Sequence, residues 1–193
     1  SAQGGELVII DAKAAKGDLS AKELHALEEK ATAEWIRFQE EIGIDILVDG
    51  EQYRGDMATY FAENIEGTLI SGLVRSYGNR YYKKPIITDE LRLRGPISVD
   101  WFRFGQKLTK KPIKGMITGP YTMMDWSFDE YYGSREEACL AFARLLHQEA
   151  VALRDAGAKI IQVDEPALST RFDELPLLVK AVGIVTQGLD TKT

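Results

Sequence analysis

The segment KIIQVDEPAL (159–168), read together with KPIKGMITGP (111–120) and IGIDILVDGE (42–51), decides the fold. Each is a short apolar run that stops abruptly on turn-forming or charged residues. The stops are Asp164-Glu165-Pro166, Gly119-Pro120-Tyr121 and Asp49-Gly50-Glu51. Runs of this length, rich in Ile and Val and bounded in this way, read as buried strands. They predict strands over 44–48, 113–118 and 159–163.

Working outward, the segments around these runs read as helices. Ser20 and Glu23 form an S-x-x-E capping box, in which each side chain satisfies an orphan backbone amide. It opens a helix over 20–42 whose Leu24, Leu27, Ala31, Trp35, Phe38 and Ile42 recur at spacings of three and four, predicting one buried stripe. Gly43 closes it. The run SVDWFRFGQKL (98–108) is a second helix. Ser134 and Glu137 make another capping box, and the helix behind it carries Cys139, Phe142, Leu146 and Leu153 on one face before Gly157 ends it. Between the first two strands, 69–74 and 81–87 read as hairpin arms joined through Ser76-Tyr77-Gly78-Asn79.

Helices alternating with short apolar strands imply parallel strands and an α/β fold. An open doubly wound sheet and a closed (β/α)8 TIM barrel both satisfy the pattern. Rossmann-type dinucleotide binding is disfavoured, since no G-x-G-x-x-G follows a strand. A barrel takes about 250 residues, and only three core strands are legible here, so a barrel would be present only in part. No repeat, low-complexity tract or linker divides residues 1–193, which read as a single domain.

Composition narrows the class. The chain has 193 residues, 45% of them hydrophobic, with 30 acidic and 24 basic side chains for a net charge of −6. These values exclude a disordered tail and a disulfide-stapled mini-protein. The acidic balance argues against nucleic-acid binding, and no apolar run approaches the roughly 20 residues of a membrane helix. With one cysteine and no signal-peptide pattern, a cytoplasmic protein is expected.

The strand ends point to the chemistry. In parallel α/β folds, ligands bind where the carboxyl ends of the strands meet their loops. Glu51 and Asp164 would bring two carboxylates to that mouth, able to hold a substrate ammonium group or to act as acid and base. Acidic residues after strands also serve simply as turn formers and caps; Asp49 before Gly50 fits that role, Glu51 and Asp164 less well. Trp126, in the loop 123–128, offers a flat face for stacking a ring or packs on the rim as a lid. Arg80, at the end of the hairpin turn, clamps an anionic or conjugated ligand or is merely solvated. His25 and His147 lie on helices away from any strand end. Cys139 falls on an apolar stripe as a small core residue.

Taken together, four motifs in order resemble cobalamin-independent methionine synthase, in its catalytic C-terminal barrel. They are DILVDGE (45–51) with RGDM (54–57) and Tyr60-Phe61; VRSYGNR (74–80) with KPI (84–86); KPIKGMITGP (111–120) with DWSF (125–128); and IQVDEPAL (161–168). The resemblance implies a (β/α)8 barrel that methylates the thiol of homocysteine to give methionine. It assigns the substrate's amino group to Glu51 and Asp164, and the methyl-donor side, where a reduced folate binds, to Arg80 and Trp126. It also implies a zinc ion that activates the thiol. The ligands of that zinc, a His-x-Cys segment, a Glu and a further Cys, are expected beyond Thr193.

The resemblance thus implies an internal segment of the barrel, partnered by the remainder of that barrel and lacking zinc and activity alone. Tyr81 replaces a small residue and is expected to crowd a pterin, which motivates methylcobalamin as an alternative donor. Other readings are a corrinoid-dependent thiol methyltransferase of the same superfamily, or a non-catalytic amino-acid-binding module.

Overall fold

The computed structural model describes residues 19–75 and 81–193. The strand-forming runs pair in parallel. Strand β3 (Gly115–Thr118) and strand β5 (Ile161–Asp164) run side by side with Gly115 opposite Ile161 and Thr118 opposite Asp164. On one flank, Leu47 bridges in parallel to Ile113, its amide donating to Pro112 O at 2.9 Å. On the other, Ile160 bridges in parallel to Lys192. Four parallel segments therefore stand in chain order, with helical connections between them. This is the pattern of a (β/α)8 barrel, of which the described residues form part.

The connections are helix α1 (Ala21–Glu41), α2 (Met57–Glu63), α3 (Val99–Leu108), α4 (Pro120–Asp125), α5 (Arg135–Asp155) and α6 (Leu175–Val185). A hairpin of β1 (Ile65–Arg75) and β2 (Tyr81–Leu93) lies between α2 and α3. A two-residue strand, β4 (Phe128–Asp129), pairs with β2 in parallel.

Alternation along β3 and β5 sends Gly115, Ile117, Ile161 and Val163 to one face and Met116, Thr118, Gln162 and Asp164 to the other. The first face packs on α5. Ile117 and Ile161 are buried there with Cys139, Phe142, Leu146 and Leu153. Each fully buried side chain of this size contributes about 1.5–3 kcal/mol. The hairpin contributes less, since its Leu69 and Leu73 remain exposed. The sheet-to-α5 interface therefore carries the fold.

Several sequence expectations are met. The Ser20–Glu23 capping box forms, with Ser20 N donating to Glu23 Oε2 at 2.9 Å. Gly43 and Gly157 follow their helices at φ +84° and +101°. At Ser134 only the hydroxyl half of the expected capping box is seen, Ser134 Oγ accepting from the Glu137 amide at 3.2 Å. The hairpin arms are longer than expected, and their turn lies outside the described residues.

Three expectations are corrected, the first at α1. The buried stripe is Thr32, Ile36 and Gln39, one residue round from the predicted one, and Phe38 and Ile42 are 47% and 57% exposed. Gln39 explains the rotation. Its Nε2 donates to Val48 O at 2.7 Å and its Oε1 accepts from Val48 N at 3.0 Å. A side-chain amide thus takes the place of a neighbouring strand. For the same reason 44–48 is not a strand: only Leu47 joins the ladder, and Ile44 and Ile46 are exposed. Residues 123–128 are not a loop either, because α4 runs through Asp125 and Trp126 is its C-cap.

A buried carboxylate ties α5 to the start of α3. Glu149 is fully buried and accepts from Ile97 N at 2.8 Å, Ser98 N at 2.7 Å and Ser98 Oγ at 2.7 Å. Two of these donors are backbone amides with nowhere else to go. We expect Glu149→Ala to lower the unfolding free energy by about 3 kcal/mol or more, measured by denaturant titration, and Glu149→Gln to cost less. Burial pushes the Cys139 thiol up to about 12. The folded chain should therefore leave its one thiol unmodified by a disulfide reagent at pH 8, and titrate it fully once unfolded.

Candidate functional site

The site begins at the turn after Leu47. Gly50 and Glu51 both adopt the left-handed backbone conformation, at φ +80° and +53°. For Glu51 this costs about 1–3 kcal/mol. Asp49 holds the turn: its Oδ1 accepts from Glu51 N at 3.0 Å and its Oδ2 from Tyr53 Oη at 2.7 Å. Gly50 is needed, since a Cβ there would sit 2.3 Å from Trp35 Cδ1.

Arg54 is the counter-charge of this turn. Its side chain is only 4% exposed and pairs with the Glu51 carboxylate. It also donates to Met116 O of β3 at 2.8 Å. The guanidinium lies 5.4, 5.5 and 5.2 Å from the ring centres of Tyr53, Tyr60 and Phe61. Such a site suits arginine, whose planar cation accepts aromatic faces.

Glu51 and Asp164 come within electrostatic reach of each other. Burial raises the Glu51 carboxyl above its ordinary value; Arg54 opposes this, while Asp49 and Asp164 add to it. Asp164 Oδ1 accepts from Gln162 Nε2 at 2.6 Å, and Gln162 Oε1 in turn accepts from Lys114 Nζ. The two carboxylates thus stand at separate strand ends, Glu51 paired with Arg54 and Asp164 bonded to Gln162.

Trp126 lies elsewhere. It borders a cleft of about 910 Å³ lined also by Tyr53, Thr59, Tyr60, Tyr81 and Tyr82. Neither Glu51 nor Asp164 lines this cleft. Tyr53 also lines the cleft, and its hydroxyl donates to Asp49 Oδ2. Arg80 lies outside the described residues. Its neighbour Tyr81 lines the cleft and is 57% exposed.

Sequence reading missed Arg54, Gln162 and Glu165. The E-x-x-R spacing of Glu51 and Arg54 was the available signal for the first, and the same-face i, i+2 spacing of Gln162 and Asp164 on one strand for the second; Glu165 acts on Tyr121 and Thr122, which only the parallel register brings beside it. Among the described residues no three His, Cys, Asp or Glu side chains converge to hold a metal ion. His147 Nδ1 lies 3.1 Å from Val185 O, and His25 packs on Trp101 beside Glu28 and Glu29. No helix among the described residues is long and apolar enough to cross a membrane.

Comparison with known proteins gives a consistent answer. Residues 4–177 match the family model described as the catalytic domain of cobalamin-independent synthase. A methionine synthase of Thermoplasma acidophilum is 40% identical over 91% of this chain and 56% of its own length. A 5-methyltetrahydropteroyltriglutamate–homocysteine methyltransferase of Flavobacterium johnsoniae is 43% identical over 94% of this chain but 25% of its own. Among solved structures, the B12-independent methionine synthase from Shewanella sp. W3-18-1, in complex with selenomethionine, superposes with a TM-score of 0.81. That pair is 32% identical, over 90% of this chain and 52% of that one. A putative vitamin-B12-independent methionine synthase from Listeria monocytogenes, 20% identical, shares the fold at a TM-score of 0.77 over 97% of this chain and 59% of its own. The chain spans about half the length, or less, of the curated relatives it matches. By its motifs, its partial barrel and these likenesses, the chain belongs to the cobalamin-independent methionine synthase family, within the catalytic domain.

Proposed function

We propose that this chain forms part of an enzyme that transfers a methyl group from a methylated folate to the sulfur of homocysteine, giving methionine. What supports this reading is that Glu51 and Asp164, from separate strand ends, lie within electrostatic reach of each other, together with an aromatic cleft that Tyr53 and Trp126 line. The two carboxylates hold the ammonium group of homocysteine by charge-assisted hydrogen bonds. Arg54 stays behind Glu51 and keeps it from being an unpaired buried charge. Trp126 stacks on the pterin, and the family resemblance assigns Arg80 to the same methyl donor. In the reaction the thiol gives up its proton, the sulfur–carbon bond forms as the bond from the donor nitrogen to the methyl carbon breaks, and that nitrogen keeps the electron pair and takes up a proton; the described residues contribute binding and aim. Among the described residues no set of side chains fits a zinc site.

A folate donor is favoured over a corrinoid. The cleft volume falls within the roughly 300–1,000 Å³ range of ordinary ligand pockets with Tyr81 at its edge, and the relatives' names specify a folate donor and independence of cobalamin. The exposed Phe38, Ile42, Ile44 and Ile46 flank the Leu47 edge of the sheet. We assign the cover of this edge to further strands of the same barrel, since parallel sheets are normally buried.

Three measurements on the complete enzyme test this reading. Asp164→Asn and Glu51→Gln should each raise the KM for homocysteine about 10–100-fold, the loss of one charged contact; an unchanged KM overturns the assignment. Trp126→Ala should raise the KM for methyltetrahydrofolate and leave that for homocysteine in place. Methionine formed from methylcobalamin and not from methyltetrahydrofolate overturns the donor.

The pH dependence follows from Glu51. Because its pKa is raised, it loses its charge sooner than an ordinary glutamate as pH falls, while the substrate ammonium stays protonated. Homocysteine KM should therefore begin to rise at a pH above the usual value of about 4.3, and Glu51→Gln should remove that limb.

A further inference from the structure

Helix α4 begins directly after β3 and carries Trp126 at its far end, yet it has no cap of its own. Its N-cap is Gly119, which has no side chain to offer, and its first residue is Pro120, which has no amide hydrogen. The next two amides, of Tyr121 and Thr122, would be orphans. Both are taken by one side chain from a different strand end: Glu165 Oε1 accepts from Tyr121 N at 2.9 Å and Oε2 from Thr122 N at 2.7 Å. The contact is reinforced from the other direction, where Ala167 N donates to Thr122 Oγ1 at 3.3 Å.

The fit is close. A Cβ on Gly119 would stand 2.2 Å from Glu165 Cδ, and its three nearest atoms would all belong to Glu165. Glycine at 119 is thus required by the carboxylate packed over it. One residue before Glu165 is Asp164, whose carbonyl accepts from Gly119 N at 2.8 Å. At the other end of α4, Asp125 is held by Arg135 at 2.7 Å and Arg171 at 3.0 Å, and Trp126 N closes the helix on Thr122 O at 3.0 Å.

We propose that Glu165 is a positioning residue: by clamping the first amides of α4 to the end of β5, it sets the placement of Trp126 relative to Asp164. The inference rests on the function proposed above, in which Asp164 holds one substrate and Trp126 the other. Its consequence is specific. Each ligand still meets its own intact contacts when Glu165 is changed, but the two reacting atoms no longer meet at the right separation. Misplacement of this order costs rate rather than affinity, up to about 100-fold for a shift of about 1 Å.

The test uses the complete enzyme and steady-state kinetics with both substrates varied. Glu165→Ala should lower kcat about 100-fold with both KM values within about twofold of the parent enzyme. Glu165→Gln keeps the length and one acceptor, and should retain about a tenth of kcat with the pH profile unchanged in shape. Gly119→Ala should reproduce the kcat loss by displacing the carboxylate. In the double variant the clash has gone, so it should be no slower than Glu165→Ala alone.

Should Glu165→Ala fail to fold, Glu165→Gln and Gly119→Ala carry the same test. An unchanged kcat in these variants overturns the inference, as does a loss confined to the homocysteine KM, which would place Glu165 on the substrate. A Glu165→Gln enzyme as inactive as the alanine variant, with one limb of the pH profile missing, also overturns it, because Glu165 would then be moving a proton. The parent enzyme and Asp164→Asn serve as controls. If the parent makes no methionine, or Asp164→Asn leaves the homocysteine KM unchanged, the proposed function falls and this inference with it. If both behave as expected and the Glu165 and Gly119 variants do not, this inference alone falls.

Discussion

The parallel ladder between Gly115–Thr118 and Ile161–Asp164 is the constraint from which the other features follow. Only four residue pairs long, it is extended one step by Gly119 N on Asp164 O. Its register places Ile117 and Ile161 under α5 and leaves Gln162 and Asp164 on the opposite face. A slip of one residue would exchange those faces, burying Asp164 among leucines and aiming Val163 at the mouth. The apolar face is held by Phe142, Leu146 and Leu153, whose burial makes such a slip costly. Site geometry here is therefore a consequence of core packing.

Charges taken out of water recur around that ladder, and each has a partner. Glu149 caps the start of α3, Glu165 caps α4, and Arg54 joins Glu51 to the β3 carbonyl of Met116. Burial of a lone charge costs several kcal/mol, and in each case backbone groups supply much of the compensation. Backbone partners are fixed by the fold, so these contacts define positions more narrowly than ion pairs between flexible side chains would. Burial raises the carboxyl of Glu165, and the hydrogen bonds from Tyr121 and Thr122 draw it back towards the charged form.

The strained turn at Glu51 belongs to the same arrangement. Its left-handed backbone is held by Asp49 and by the steric demand of Trp35 on Gly50. Unfavourable conformations persist where their surroundings over-determine them, and they concentrate at functional sites. The strain falls on a residue whose carboxylate pairs with the buried Arg54, at the strand end where a barrel binds its ligands.

Local signals made much of this visible without coordinates. The Ser20 cap, the helix-closing Gly43 and Gly157, the α5 face of Cys139, Phe142, Leu146 and Leu153, and the polar strand ends depend on residues close in the chain, so periodicity and capping chemistry reveal them. The four motifs identified the family for the same reason. The facing of α1 was not legible, because a glutamine buried against the Val48 backbone outranks the more apolar Phe38 only once that backbone lies beside it. Nor were the joins of Arg54 to Met116 and of Glu165 to Tyr121 and Thr122, or the separation of Trp126 from the carboxylate pair. Those contacts span some 40 to 60 residues of chain, and only the parallel register brings their ends together. Composition and spacing determined which groups are available; the pairing of β3 with β5 decided which of them meet.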